Sequence, residues 1–172
     1  MNPIAVLFDE HTVITSAIEA ARALSRAPAG AAATERLRAL LGFFREYADR
    51  FHHQKEEQVL FPEMAKRDAQ LEGGVLQEML DQHGEFRLAL ASIEQDGDRG
   101  DWAAACERLS RYCEMLLDHI AVENDELFSM AEDLFSKEEL RTLYFRFVDL
   151  DRGLGEDRKA ALERAFQADG GS

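Results

Sequence analysis

Apolar positions in this chain recur at spacings of three and four almost from end to end, and no stretch alternates in the manner of a strand. The pattern therefore predicts an all-α protein. A first helix opens with Asn2 as N-cap and Pro3 at its first position, then carries Ile4, Leu7, His11, Ile14, Ile18, Ala21 and Leu24 on one stripe. After a break at Ala27-Pro28-Ala29-Gly30, a second, long helix from about Thr34 places Leu37, Leu41, Phe44, Ala48, His52, Glu56 and Val59 on its stripe before Pro62. A third follows Gly73-Gly74 with Leu76, Met79 or Leu80, His83, Phe86 or Arg87, Leu90 and Ile93. A turn at Asp96-Gly97-Asp98-Arg99-Gly100 leads to Asp101, the cap of a fourth helix whose stripe reads Trp102, Ala105, Leu109, Tyr112, Leu116, His119, Glu123, Leu127 and Met130. Short connections between four such helices favour an up-down-up-down antiparallel four-helix bundle.

Residues 1–134 make up that bundle, and 135–172 read as a C-terminal helical extension packed on the same domain. Ser136-Lys137-Glu138-Glu139 is a capping box for a fifth helix bearing Leu140, Leu143, Tyr144, Phe147 and Leu150. A short sixth helix is expected from Glu156 to Ala168, ahead of a frayed tail at 169–172.

Each of the four bundle helices thus carries one histidine in its apolar stripe, although the chain has only five histidines. In two helices a glutamate follows four residues on, as His52/Glu56 and His119/Glu123, so imidazole and carboxylate share a face. Burying two carboxylates among imidazoles without a cation costs several kcal/mol per ion or forces protonation. A metal removes that difficulty, and a donor set of imidazole and carboxylate without cysteine suits iron, manganese or zinc. Two glutamates that can each bridge point to two ions. On α-helical geometry His53 and Glu57 are turned about 100° away from the stripe, which makes His52 and Glu56 the inward pair.

Composition narrows the setting. The net charge of −14 argues against nucleic acid or an anionic membrane surface as partner. No basic leader and no apolar run of membrane-spanning length is present, so the expectation is a soluble, cytoplasmic protein, monomer or homodimer. Cys106 and Cys113 are seven residues apart on one helix, roughly 10 Å along its axis, and read as buried, reduced thiols.

The segments Asp9-Glu10-His11, His52-His53-Gln54-Lys55-Glu56-Glu57-Gln58-Val59-Leu60-Phe61-Pro62, Asp81-Gln82-His83-Gly84-Glu85-Phe86 and His119-Ile120-Ala121-Val122-Glu123-Asn124 resemble, in order, the four signature segments of the hemerythrin-like (HHE cation-binding) domain. The resemblance implies a non-haem centre of two iron ions with an oxo or hydroxo bridge. His11, His52, His83 and His119 would be terminal ligands, and Glu56 and Glu123 bridges. Hemerythrins have a second histidine one turn before the one matched by His83, and Met79 stands there in this chain. Some iron-sensing members add a carboxylate directly after the second-helix histidine, a position held here by His53, which is therefore a further candidate ligand. Such a centre implies binding or sensing of O2 or NO. The alternatives are an enzyme that turns over peroxide, NO or O2 or donates iron for repair, and a reservoir for iron, zinc or manganese.

Overall fold

In the computed structural model, which describes residues 1–166, helices account for nearly the whole chain and no strand occurs among the described residues. Helix α1 spans Pro3–Ser25, and the Asn2 side chain accepts from the Ile4 N–H as its cap. Helix α2 (Ala31–Phe43) begins a few residues before the expected start and continues without a break through a π-helical segment, Phe44–His53, and a second, Glu56–Leu60. It then runs on as α3 (Phe61–Arg67), where Pro62 lacks the N–H that would bond back along the helix and Arg146 donates to the Gln58 carbonyl instead. A single turn, α4 (Ala69–Glu72), not foreseen from periodicity, leads into α5 (Val75–Asp98). Gly100, at φ +75°, makes the turn to α6 (Trp102–Val122), which Asp101 caps through the Ala104 N–H. A third π-helical segment, Glu123–Leu127, joins α6 to α7 (Phe128–Leu134). The capping box at Ser136 opens α8 (Lys137–Leu154), and α9 covers Glu156–Phe166. Gln167, Ala168 and the tail lie outside the described residues.

The expected four-helix bundle is formed by α1, α2–α3, α5 and α6–α7, with α8 and α9 laid against one side. Its interior is divided in two. One apolar cluster contains Ile14, Ile18, Ala48, Phe51, Phe86, Leu90, Leu109 and Leu116. The other contains Ile4, Leu7, Val59, Leu60, Met79 and Leu127. Along each bundle helix the histidine falls where one cluster gives way to the other, so a buried polar layer crosses the middle of the core. The extension spans this boundary, with Leu140, Leu143 and Phe147 of α8 in the second cluster and Leu162 of α9 in the first.

Some stripe positions resolve differently from the simple periodic reading. Phe86 is buried and Arg87 faces outward, Met79 is buried where Leu80 is exposed, and Met130 is exposed because the π turn before it rotates α7. Cys113 is buried, and that burial pushes its thiol up to about 12. Cys106 is only half-buried, and both thiols are free.

Candidate metal centre

His11, His52, His53, Glu56, His83, His119 and Glu123 all converge on the polar layer, none more than 3% exposed. Their donor atoms fall into overlapping groups, within 4.8 Å inside each group: His11, His52, Glu56 and Glu123; Glu56, His83, His119 and Glu123; and His53, His83 and His119. The two glutamates are common to both sides. Glu123 Oε2 lies 3.2 Å from His11 Nε2, and Oε1 lies 3.2 Å from His119 Nε2. Glu56 Oε1 faces His52 Nε2 and Oε2 faces His83 Nε2, each at 3.7 Å. Each carboxylate thus turns one oxygen to either half of the cluster, which is the disposition of a bridging ligand.

The outward nitrogen of each stripe histidine is already committed. Nδ1–H of His52 donates to Glu10 Oε2 at 3.1 Å, that of His83 to Glu57 Oε1 at 2.8 Å, that of His119 to Gln82 Oε1 at 2.7 Å and that of His11 to Asn124 Oδ1 at 2.7 Å. These acceptors form a closed ring. Glu10 on α1 holds the histidine of the second helix, Glu57 there holds that of α5, Gln82 on α5 holds that of α6, and Asn124 after α6 holds that of α1. Every acceptor is the direct sequence neighbour of a candidate ligand on its own helix, and every one serves a histidine on the next. Hydrogen bonds of this kind fix tautomer and ring orientation for metal-binding imidazoles.

With Nδ1 protonated, a neutral imidazole leaves Nε2 as an unshared lone pair. The Nε2 atoms of His11 and His52 face each other at 2.9 Å, and those of His83 and His119 at 3.1 Å. Where both rings of a pair are neutral, two lone pairs face each other with no proton between them. All four oxygens of Glu56 and Glu123 are buried without a hydrogen-bond partner, as are both ring nitrogens of His53. So many facing, unpaired acceptors in a core are unfavourable unless a cation is shared among them. The ionisation behaviour agrees. Burial and the neighbouring Glu123 charge raise Glu56 well above the usual carboxylate range. Burial and the nearby His11 imidazole bring His52 down to about 4, despite the pull of Glu10. Burial and the surrounding imidazoles lower His53 as well. The histidines so affected are therefore neutral at pH 7, the form that binds metal.

His53 departs from the α-helical expectation. It does not turn away but stacks on His83 at 3.9 Å between centroids and 11° between planes, at 2% exposure. The cause is local. At the end of the first π segment the Gln54 N–H reaches back to Asp49 O, five residues earlier. This wider turn advances each residue by less than the 100° of an α-helix, which keeps both members of the His52-His53 pair on the inner side. The same device follows each glutamate, where Phe61 N–H bonds Glu56 O and Phe128 N–H bonds Glu123 O. Glu57, by contrast, stays at the edge, gripped by Arg87 and serving His83.

A helical bundle with a buried layer of imidazoles and shared carboxylates defines a cation-binding protein. Residues 2–131 match the hemerythrin HHE cation-binding domain, and the chain belongs to that family. No curated protein and no solved structure is significantly similar to the chain.

Proposed function

We propose that the protein holds two iron ions between its four bundle helices and binds O2 or NO there, as a carrier or sensor. Glu56 and Glu123 are shared by both ions, His11 and His52 serve one, and His53, His83 and His119 serve the other. This assignment is supported chiefly by the facing Nε2 atoms of the two histidine pairs and the buried, unpartnered oxygens of Glu56 and Glu123 between them. In it His53 supplies the third imidazole that Met79 cannot. An iron pair brings reversible redox change coupled to coordination of a small ligand.

The unequal donor sets give the site a direction. The His11/His52 side has one imidazole fewer, so an added ligand goes to that side. Phe128 stacks on His11 with centroids 5.4 Å apart, and Phe8 packs edge-on against Phe128, so one face of the His11 ring is covered by apolar rings. Exposure of 3% or less for every candidate ligand favours a diatomic molecule over a bulky substrate. Anaerobically reduced, iron-loaded protein titrated with O2 and with NO is the test. Saturable, reversible spectral change at one ligand per iron pair is expected. Continuous consumption of O2, NO or peroxide in the presence of reductant would instead mark an enzyme, and no response to any of them a metal store.

A further inference from the structure

Behind His52 lies an ionic group, buried at Glu10 and Lys55 and half-buried at Asp151 and Lys159, that the bundle alone does not complete. Glu10 Oε2 accepts from His52, while Glu10 Oε1 accepts from Lys55 Nζ at 2.8 Å and from Lys159 Nζ at 2.6 Å. Lys55 is fully buried and also donates to Phe51 O at 2.7 Å. Asp151 faces both lysines, with Oδ2 accepting from Lys159 at 2.8 Å and Oδ1 in an ion pair with Lys55 at 2.6 Å. Two cations and two carboxylates therefore close a square, half of it from the bundle (Glu10, Lys55) and half from the extension (Asp151 of α8, Lys159 of α9). Asp151 and Lys159 lie beyond the residues that match the family.

From this arrangement we infer that the C-terminal extension is a latch on the metal centre, in which Lys159 and Asp151 are positioning residues that hold Glu10 so that it fixes the His52 imidazole. The inference rests on the two-metal reading for its effect on metal, though not for its geometry. A buried lysine with one carboxylate would satisfy charge on its own, so a second lysine and a second carboxylate, brought in by a different segment, need a separate reason. Their geometric result is that Glu10 Oε1 is pinned from two sides, leaving Oε2 a single orientation, toward His52. The other histidine held by a carboxylate shows the same logic in simpler form, with Arg87 bridging Asp49 and Glu57 behind His83. Tyr47 O–H donates to Glu163 at 3.0 Å and Arg158 pairs with Glu46, which ties α9 to the second helix next to the square. A purely structural staple would anchor α8 and α9 to the bundle without orienting any particular ligand.

The experiment compares full-length wild type with Lys159→Met and Asp151→Asn, and with Leu162→Ala as a control that loosens α9 without touching the square. Protein loaded with zinc, a diamagnetic probe, is read by long-range nitrogen–proton NMR of the histidine rings. The His52 Nδ1–H resonance should broaden or vanish in Lys159→Met and Asp151→Asn while that of His119, held by Gln82, is unchanged. Release of zinc to a chelator should be faster by about tenfold, the lower end of the effect of removing an outer partner of a metal-binding histidine. In Leu162→Ala the His52 resonance should remain even as the melting temperature falls. An unchanged His52 resonance in both square variants, or its equal loss in Leu162→Ala, would overturn the latch. The same resonance can be read in metal-free protein, so a wild type that takes up no zinc sinks the two-metal reading without deciding the latch, which the ring signal then decides alone.

Discussion

His11 donates its Nδ1–H to the side-chain oxygen of Asn124, 113 residues along the chain and 2.7 Å away, and that bond closes the ring of acceptors around the bundle. Asn124 does not face the cluster of candidate ligands, yet it sets which nitrogen of His11 does. Replacing Asn124 by Leu should leave the fold intact and weaken metal retention by about 10- to 100-fold, the range seen for such outer partners. Chelator competition measures it, and unchanged retention would mean that the ring is incidental to the site.

The inward position of His53 changes what the adjacent histidines should do on mutation. His52→Ala removes one of only two imidazoles on its side and should abolish binding of that ion. His53→Ala should lower affinity for the other ion by at least about tenfold, because His83 and His119 remain. Metal titrations of the two variants check this. If His53→Ala bound both ions with wild-type affinity, its stacking on His83 would be packing alone.

Metal-free protein should carry the strain of its own site. Iron or zinc binds only the folded arrangement, since the ligands come from four helices, and at 100 times the dissociation constant stabilises by about 2.7 kcal/mol, roughly 5–10 °C in a domain of this size. Glu56→Gln should lose metal yet raise the melting temperature of the metal-free form, because it removes a buried acid that the Glu123 charge keeps from ionising. Thermal melts with and without chelator test both statements, and a metal-free Glu56→Gln that melts below metal-free wild type would contradict the second.

The pH dependence of that metal-free Glu56→Gln variant has a definite sign. Unfolded histidine takes its proton near 6.5, whereas folded His52 resists until about 4. Between those values the unfolded state binds more protons, so stability falls as pH falls, by about 3 kcal/mol from His52 alone. His53 adds a shift in the same direction. The Glu56→Gln background is needed because an acid with a raised pKa imposes the opposite slope above its unfolded value. Denaturant melts from pH 7 to pH 4 give the measurement, and flat stability across that window would mean that His52 is protonated as easily in the fold as out of it.

Much of this was legible in the residues. Four histidines in four apolar stripes, two with a glutamate one turn on, give the bundle and six of the seven clustered side chains, and the family resemblance adds His53 as a further candidate. The α-helical angle alone turns His53 outward, and nothing in the residues of Phe44–His53 signals that its turns are wider. The ring of acceptors had a visible trace, since Glu10, Glu57, Gln82 and Asn124 each adjoin a candidate ligand, but which histidine each one serves depends on the neighbouring helix and so on tertiary structure. Nothing in the sequence distinguishes Lys55 and Lys159 from solvated charges. Only the packing of α8 and α9 across the polar layer brings them together on Glu10.

In the proposed reading this core is built around two metal ions. Anaerobic reconstitution with ferrous iron, followed by metal counting and an optical spectrum before and after air, addresses it most directly. Two irons per chain, and near-ultraviolet charge-transfer absorption that appears on oxidation and is lost in His52→Ala, are the expected result. One metal or fewer per chain, of iron or of zinc or manganese offered in its place, would contradict it.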